Sequence, residues 1–314
     1  MKILYFGTST FAIPPLQALL EHGDVVVAVV TQPDLPAGRG RQLSPSPVKA
    51  FALTHDLPVL QPESCRHPDF FAQAHALAPD LIVVAAYGQF LPDELLELPP
   101  LGSVNLHGSL LPRYRGAAPI QRALWEGETT TGVCLMWMAR AMDAGDIIAC
   151  ADEPIAASDT AGTLSERLSL KAAALLLAWL SALASGSAPR QPQDPSLVTF
   201  APPIRKEERV IDWTRPAEVI WRQIRALAPT PAAVTTFRGS SVKLFASQPL
   251  ATISTREEGE PGGIVESNPK LGLYVATGAG DIEILSLQPA GKRPMSGADF
   301  LRGYHITAGE RFTS

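Results

Sequence analysis

The feature that most constrains the fold of this chain is a regular alternation in its first half between short apolar, β-branched runs and stretches with helical spacing. KILYFG opens the chain, and STFAIPPLQALLEHG follows with apolar residues at three- and four-residue intervals and a glycine stop. DVVVAVVTQ is a second strand, dense in valine as a strand buried on both faces should be. A helix near 47–56 and the helical PDFFAQAHALAP lead to the strand DLIVVAAYG. DELLELP leads to GSVNLHG, and AAPIQRALWEGE leads to TGVCLMWM. Strands that alternate with helices predict a doubly wound, mostly parallel α/β sheet of Rossmann-like type. DIIACADEPI follows TGVCLMWMARAMDAG after a turn too short for a helical crossover, so those two strands should pair antiparallel and the sheet should be mixed.

The pattern changes after SAPRQPQDPSLVTFAPP, a Pro-rich, irregular stretch that reads as a semi-rigid linker. Beyond it one helix, RPAEVIWRQIRAL, precedes short strands broken by turn signals: AAVTTF, SVKLFA, GGIVES, LGLYVATG and DIEILSLQ. That spacing predicts a small OB-like β-barrel. A chain of 314 residues accommodates two domains. The expected division is 1–186, a linker at 187–204, and 205–314. Charge divides at the same place: residues 1–204 carry 12 basic against 19 acidic side chains, and residues 205–314 carry 14 against 12. The mildly basic second part is compatible with a nucleic-acid contact and equally with ordinary solvated surface.

Composition excludes several classes. With 46% hydrophobic and 18% charged residues the chain is neither disordered nor fibrous. Its start turns polar too early for a signal peptide, and AAALLLAWLSALASG, the most apolar stretch, falls short of the roughly 20 residues a bilayer needs. The expectation is a cytoplasmic protein with no membrane contact, and a monomer for want of a long apolar surface strip. Cys65, Cys134 and Cys150 form no CxxC pair, and the reading is three buried, reduced thiols. Only Gly7 precedes Thr8, Ser9 and Thr10 where a dinucleotide fingerprint needs three glycines, so NAD is not expected. A Walker sequence is absent, and no cluster of His, Cys and carboxylates has metal-ligand spacing.

Chemistry concentrates in SVNLHGSLLPRYRGAAPIQ. Side chains alternate along a strand, so Asn105 and His107 share a face, at the carboxyl end where open α/β sheets bind ligands. An Asn amide can stabilise an oxyanion and a His can donate or move a proton. A strand-end cap and a half-buried imidazole explain the same residues, so alternation alone leaves the choice open. Asp143, in a turn with Gly145 after the next strand, is a candidate partner for His107 or a simple turn residue. The Gly-rich LPAGRGRQLSPSP carries Arg39 and Arg41. It reads either as a solvated loop or as one that orders on a phosphate backbone.

NLHGSLLPRYRGAAPIQRAL together with MDAGD resembles the 10-formyltetrahydrofolate-dependent formyltransferase family. TQPDLPAGRGRQLSPSPVK, KEERVIDW, IRALAPTPAAV and LQPAGKRPMSGADFLRGY are similar to the branch of that family that acts on methionyl-tRNA, and the matches run from residue 3 to about residue 305. The resemblance implies catalytic roles for Asn105, His107 and Asp143. It implies folate contacts at Ser109, Leu110, Leu111 and Pro112, with Arg113 and Arg115 framing that site. A tRNA-approaching loop would lie at 34–49, with Arg39 the best match for its key arginine and Arg41 and Lys206 as further tRNA contacts. The chain departs from the family at Gly108, at Tyr114, and in the missing aromatic of IRALAPTPAA.

The reaction so implied is formyl transfer from 10-formyltetrahydrofolate to the α-amino group of methionine on initiator tRNA, with no metal. Three alternatives share the fold or the three residues. One is a formyltransferase acting on an amino-sugar nucleotide or purine ribonucleotide, one is a folate deformylase, and one is a tRNA-binding module with a dead ligand-sensing half.

Overall fold

A computed structural model describes residues 1–37, 42–250, 259–307 and 309–314. The chain divides into two compact units, one of residues 1–119, 130–154 and 165–202 and one of residues 120–129, 155–164 and 203–314.

The strands of the first unit are β1 (Lys2–Gly7), β2 (Val25–Val30), β3 (Leu35–Ala37), β4 (Gln42–Ser44), β5 (Val59–Leu60), β6 (Leu81–Ala85), β7 (Ser103–His107), β8 (Thr130–Trp137) and β9 (Ile147–Pro154). Seven of them form one sheet in the order β5-β2-β1-β6-β7-β8-β9, while β3 and β4 make a separate antiparallel hairpin within the Gly-rich loop. The sheet is parallel from β5 to β7 and antiparallel across β7–β8 and β8–β9. The expected mixed, doubly wound sheet is therefore present. Both faces are covered: Leu4, Phe6, Ile82 and Val84 pack in one cluster with Phe70 and Leu95. Ile3, Tyr5, Leu81 and Val83, which alternate with them, are just as completely buried.

The helices of the first unit are α1 (Ile13–His22), α2 (Pro47–Thr54), α3 (Pro68–Ala76) and α4 (Asp93–Leu96), while α5 (Pro119–Glu126) falls almost wholly in the second unit and α6 (Ala161–Ala184) belongs to the first from Ser165 on. Prolines occupy the first turn of α1, α2 and α3, where their missing N–H is no loss. At 24 residues α6 is longer than the apolar run in the sequence suggested, and by length and hydropathy alone it would pass for a membrane span. Its Leu164, Leu168, Ala172, Leu176, Leu180 and Leu183 are buried at three- and four-residue spacing, the pattern of a core helix, while Leu170 is exposed.

The expectation of three separate thiols is corrected. Cys134 and Cys150 lie directly opposite each other in the antiparallel β8–β9 pair and are joined as a disulfide. Register brings two sulfurs together from 16 residues apart, which spacing alone does not reveal. Cys65 is buried with a free thiol 3.1 Å from the Tyr87 hydroxyl. Burial pushes the pKa of both groups above its ordinary value, so both stay protonated more readily than in water.

The second unit contains α7 (Ala217–Leu227), β10 (Ala233–Phe237), β11 (Ser240–Pro249), β12 (Ile264–Glu266), β13 (Tyr274–Ala276), β14 (Asp281–Pro289), β15 (Met295–Ser296), α8 (Gly297–Tyr304) and β16 (Phe312–Thr313). The strands order as β12-β13-β14-β11-β10-β16, with β15 on β14. A bridge between Gly263 and Arg311 joins the two ends, so the sheet forms a nearly closed antiparallel barrel. Its core is formed by Ile220, Ile224 and Leu227 of α7, Phe300 of α8, and Trp213, Phe237, Leu244, Ile284 and Phe312. The sequence reading had no helix at GADFLRGY. The structure caps α8 with the Ser296 hydroxyl, which accepts the Asp299 N–H at 3.1 Å and donates to the Asp299 carboxylate at 2.8 Å. This Ser-x-x-Asp pair was a usable signal in the sequence.

Candidate active site

The site is organised by β7, flanked by β6 and β8, which ends on His107. Asn105 lies opposite Val84 and Met136, and His107 opposite Cys134. Both are two apart on one strand and thus on one face. Asn105 is half-buried, and its side-chain amide has no hydrogen-bond partner among the described residues. His107 is 5% exposed. Its Nε2 lies 2.9 Å from the Tyr114 carbonyl, which can only accept, so that nitrogen carries a proton. Nδ1 faces the Asp143 carboxylate at 3.6 Å, beyond hydrogen-bond reach but within ion-pair distance.

Asp143 comes from the β8–β9 connection, and its Oδ2 also accepts the Gly116 N–H at 2.8 Å. It stands at φ 49°, in the left-handed region. Gly145, two residues on, allows the turn to sit against β8: a Cβ there would lie 1.9 Å from the Trp137 carbonyl oxygen. The loop after β7 supplies the other wall. Ser109 is fully buried and donates to the Arg113 carbonyl at 2.7 Å, and the Arg113 N–H donates to the Leu110 carbonyl at 3.2 Å. These bonds close a turn around the cis Leu111–Pro112 peptide. Leu111 is buried, and its N–H donates to Cys134 Sγ at 3.3 Å.

Asn105, His107 and Asp143, read separately from the sequence, are thus brought together, with Ser109 to Pro112 on the adjoining loop. Sequence reasoning missed Tyr114 and Gly116. Both act through the backbone, which leaves no side-chain signature. Gly116 could have been found as the glycine of RYRGAA: its φ of 123° suits no other residue, and a Cβ would meet the Ala201 carbonyl oxygen at 2.7 Å. Among the described residues no three His, Cys or carboxylate groups converge as metal ligands would.

The residues expected at tRNA fall differently. Arg39 and Arg41 lie outside the described residues. Lys206 is exposed, and its side-chain ammonium has no partner among the described residues. Its neighbours are committed. Arg209 donates to the Pro231 and Ala232 carbonyls, and Arg205 pairs with Glu208 at 3.4 Å. Glu208 is also held by a two-point contact with Arg122 at 2.8 and 3.1 Å. The Arg122 guanidinium, with the Arg205 N–H, lowers the Glu208 carboxyl to about 2.

Two open cavities lie elsewhere in the first unit. One of about 580 Å³ is lined by Leu96, Ser103, Trp137, Arg140 and Arg190. One of about 560 Å³ is lined by Cys65, Phe71, Phe90 and Arg140. Neither includes Asn105, His107 or Asp143, so the convergence of polar groups and not cavity size marks the candidate site.

Residues 1–180 match the model of the formyl transferase family, and residues 203–305 match that of the formyl transferase C-terminal domain. The chain is 47% identical over its whole length to a methionyl-tRNA formyltransferase of Symbiobacterium thermophilum, 95% of which it covers. It is 44% identical to a methionyl-tRNA formyltransferase of Bacillus subtilis, over 98% of this chain and 96% of that one. Among solved structures, HypX from Aquifex aeolicus in complex with tetrahydrofolic acid superposes with a TM-score of 0.69 at 18% identity. All of this chain is covered but only half of HypX, which makes it a likeness of fold. With both parts matched and full-length relatives well above chance identity, the chain is an enzyme that belongs to the formyl transferase family, in its methionyl-tRNA formyltransferase branch.

Proposed function

We propose that this enzyme transfers the formyl group of 10-formyltetrahydrofolate to the α-amino group of methionyl-initiator tRNA, yielding formylmethionyl-tRNA for translation initiation. The observation that carries the chemistry is the side-chain amide of Asn105, without a partner among the described residues, two residues from a buried His107 that faces Asp143 at 3.6 Å. In this reading the neutral amine attacks the formyl carbon, and the carbonyl oxygen becomes an oxyanion. The Asn105 amide N–H donates to it. His107 adds positive charge and a second donor, Nε2–H, which the Tyr114 carbonyl holds until the formyl oxygen competes for it. Asp143 orients the imidazole and, through water, takes a proton from the attacking amine and returns one to N10 of the leaving folate. Ser109, Leu110, Leu111 and Pro112 contact the folate, with Arg113 and Arg115 framing it.

Residues 1–186 carry the transfer chemistry, 187–204 connect, and 205–314 hold the tRNA. Arg39, Arg41 and Lys206 contact its backbone. The enzyme acts as a cytoplasmic monomer.

The decisive assay offers purified protein a labelled formyl-folate with charged initiator tRNA, free amino-sugar or purine nucleotides, or water alone. Transfer to the tRNA supports the reading, and label appearing only in nucleotide or as formate overturns it. Asn105→Ala should lower kcat by about 100-fold or more, and near-wild-type kcat at saturating substrates would remove the oxyanion role. Arg39→Ala should raise the KM for tRNA with folate affinity unchanged, and the converse would refute the loop assignment.

A further inference from the structure

The Pro-rich segment that the sequence presents as a linker is tied to both loops of the candidate site. Gln191 exchanges backbone hydrogen bonds with Ile147 at 2.8 and 3.0 Å. The Thr199 carbonyl accepts the Arg115 N–H at 2.9 Å, and the Thr199 hydroxyl accepts the Tyr114 N–H at 2.9 Å. Ala201 donates to the Arg115 carbonyl at 2.7 Å and accepts from the Ala118 N–H at 3.1 Å. Residues 191–201 therefore form a strap along residues 112–118, the loop whose Tyr114 carbonyl accepts from His107 and whose Gly116 N–H donates to Asp143.

One side chain of the strap reaches both loops. Gln193 Nε2 donates to the carbonyls of Asp143 and Gly145, each at 2.8 Å. Its Oε1 accepts Nε and Nη2 of Arg115 at 3.0 and 2.8 Å. Carbonyls only accept and a guanidinium only donates, so a neutral amide of glutamine length satisfies both sides at once. Glutamate would turn an acceptor toward two carbonyls, and leucine would leave all four groups without this partner. Asp143 sits in a left-handed conformation with no regular strand to hold it, so its turn depends on such ties.

We propose that Gln193 is a positioning residue for formyl transfer, locking the Asp143 turn to the Arg115 loop so that the carboxylate stays opposed to His107. The inference rests on the function proposed above. Gln193 is only half-buried and Thr199 is exposed, so neither belongs to the core, and the predicted defect is one of geometry and not of folding.

The test is a double-mutant cycle in the full-length enzyme. Gln193→Leu should lower kcat about 10- to 100-fold, since displacement of a reacting group by about 1 Å costs that much. KM for folate donor and tRNA should stay within about threefold, and Tm within about 3 °C. Gln193→Glu, which keeps the acceptor for Arg115 and loses the donor, should behave alike. On an Asp143→Asn background Gln193→Leu should add less than about threefold, because the two substitutions damage one function. Imidazole ¹⁵N shifts of His107 should move in Gln193→Leu as they do in Asp143→Asn. Multiplicative losses in the cycle, wild-type kcat in both Gln193 variants, or unmoved His107 shifts would each overturn the proposal. Wild-type protein that fails to formylate charged tRNA would instead refute the function, and the His107 shifts would still decide the positioning role.

Discussion

Replacing Asp143 by Asn removes one charge from a buried contact and leaves its shape intact. The carboxylate lies 3.6 Å from His107 Nδ1, with the two side chains 6% and 15% exposed. At that distance and an effective dielectric of about 20, the attraction between an imidazolium and a carboxylate is about 5 kcal/mol, an upper limit on what the charge can contribute. The amide of Asn still offers an oxygen to the Gly116 N–H, so that bond survives in its weaker neutral form. If between half and most of the limit is realised only in the transition state, the loss is about 3–4 kcal/mol, or 10²- to 10³-fold in kcat. Single-turnover formylation of charged tRNA at saturating enzyme and folate reads that number directly. The substrate KM values should change only a few-fold, since the charge acts on the transition state. A kcat within fivefold of wild type, in a variant that melts normally, would show that Asp143 does not act electrostatically through His107.

Gly145→Ala puts a Cβ 1.9 Å from the Trp137 carbonyl oxygen, forcing the Asp143 turn outward by about 1 Å and lowering kcat by about 100-fold. Activity within threefold of wild type would mean the turn can relax without moving the carboxylate. Glu208 has a folded-state pKa of about 2 against 4.5 for the free side chain, so its contribution is complete above about pH 4.5 and disappears as pH falls toward 2. Discounted for its partial exposure that contribution is about 1–2 kcal/mol, so Glu208→Gln should unfold at lower urea at pH 5 and lose its disadvantage near pH 2. Equal midpoints at pH 5 would refute the pairing with Arg122. Lys206→Ala should reduce the salt dependence of tRNA binding by about one counterion, and an unchanged slope of log Kd against log salt would remove Lys206 from the interface.

The first-half architecture was legible because each strand and helix there carries its own local pattern. Four of the five parallel strands, the antiparallel β8–β9 return and five of the barrel strands follow from apolar spacing and turn residues. What was missed is local but brief, like β5 of two residues and α8 behind a short capping pair, or depends on register, like the Cys134–Cys150 disulfide.

The sequence by itself determined the two kinds of layer, the strand end that bears Asn105 and His107, and the residues available there for acyl transfer, since periodicity and side-chain chemistry are properties of short segments. Only the tertiary structure decided the rest. It opposed Asp143 to His107 from 36 positions away, assigned the Nε2 proton through a backbone carbonyl, and turned a Pro-rich linker into a strap that grips both loops. These contacts join distant parts of the chain, several of them through peptide groups common to every residue, so no pattern of side chains along the chain encodes them.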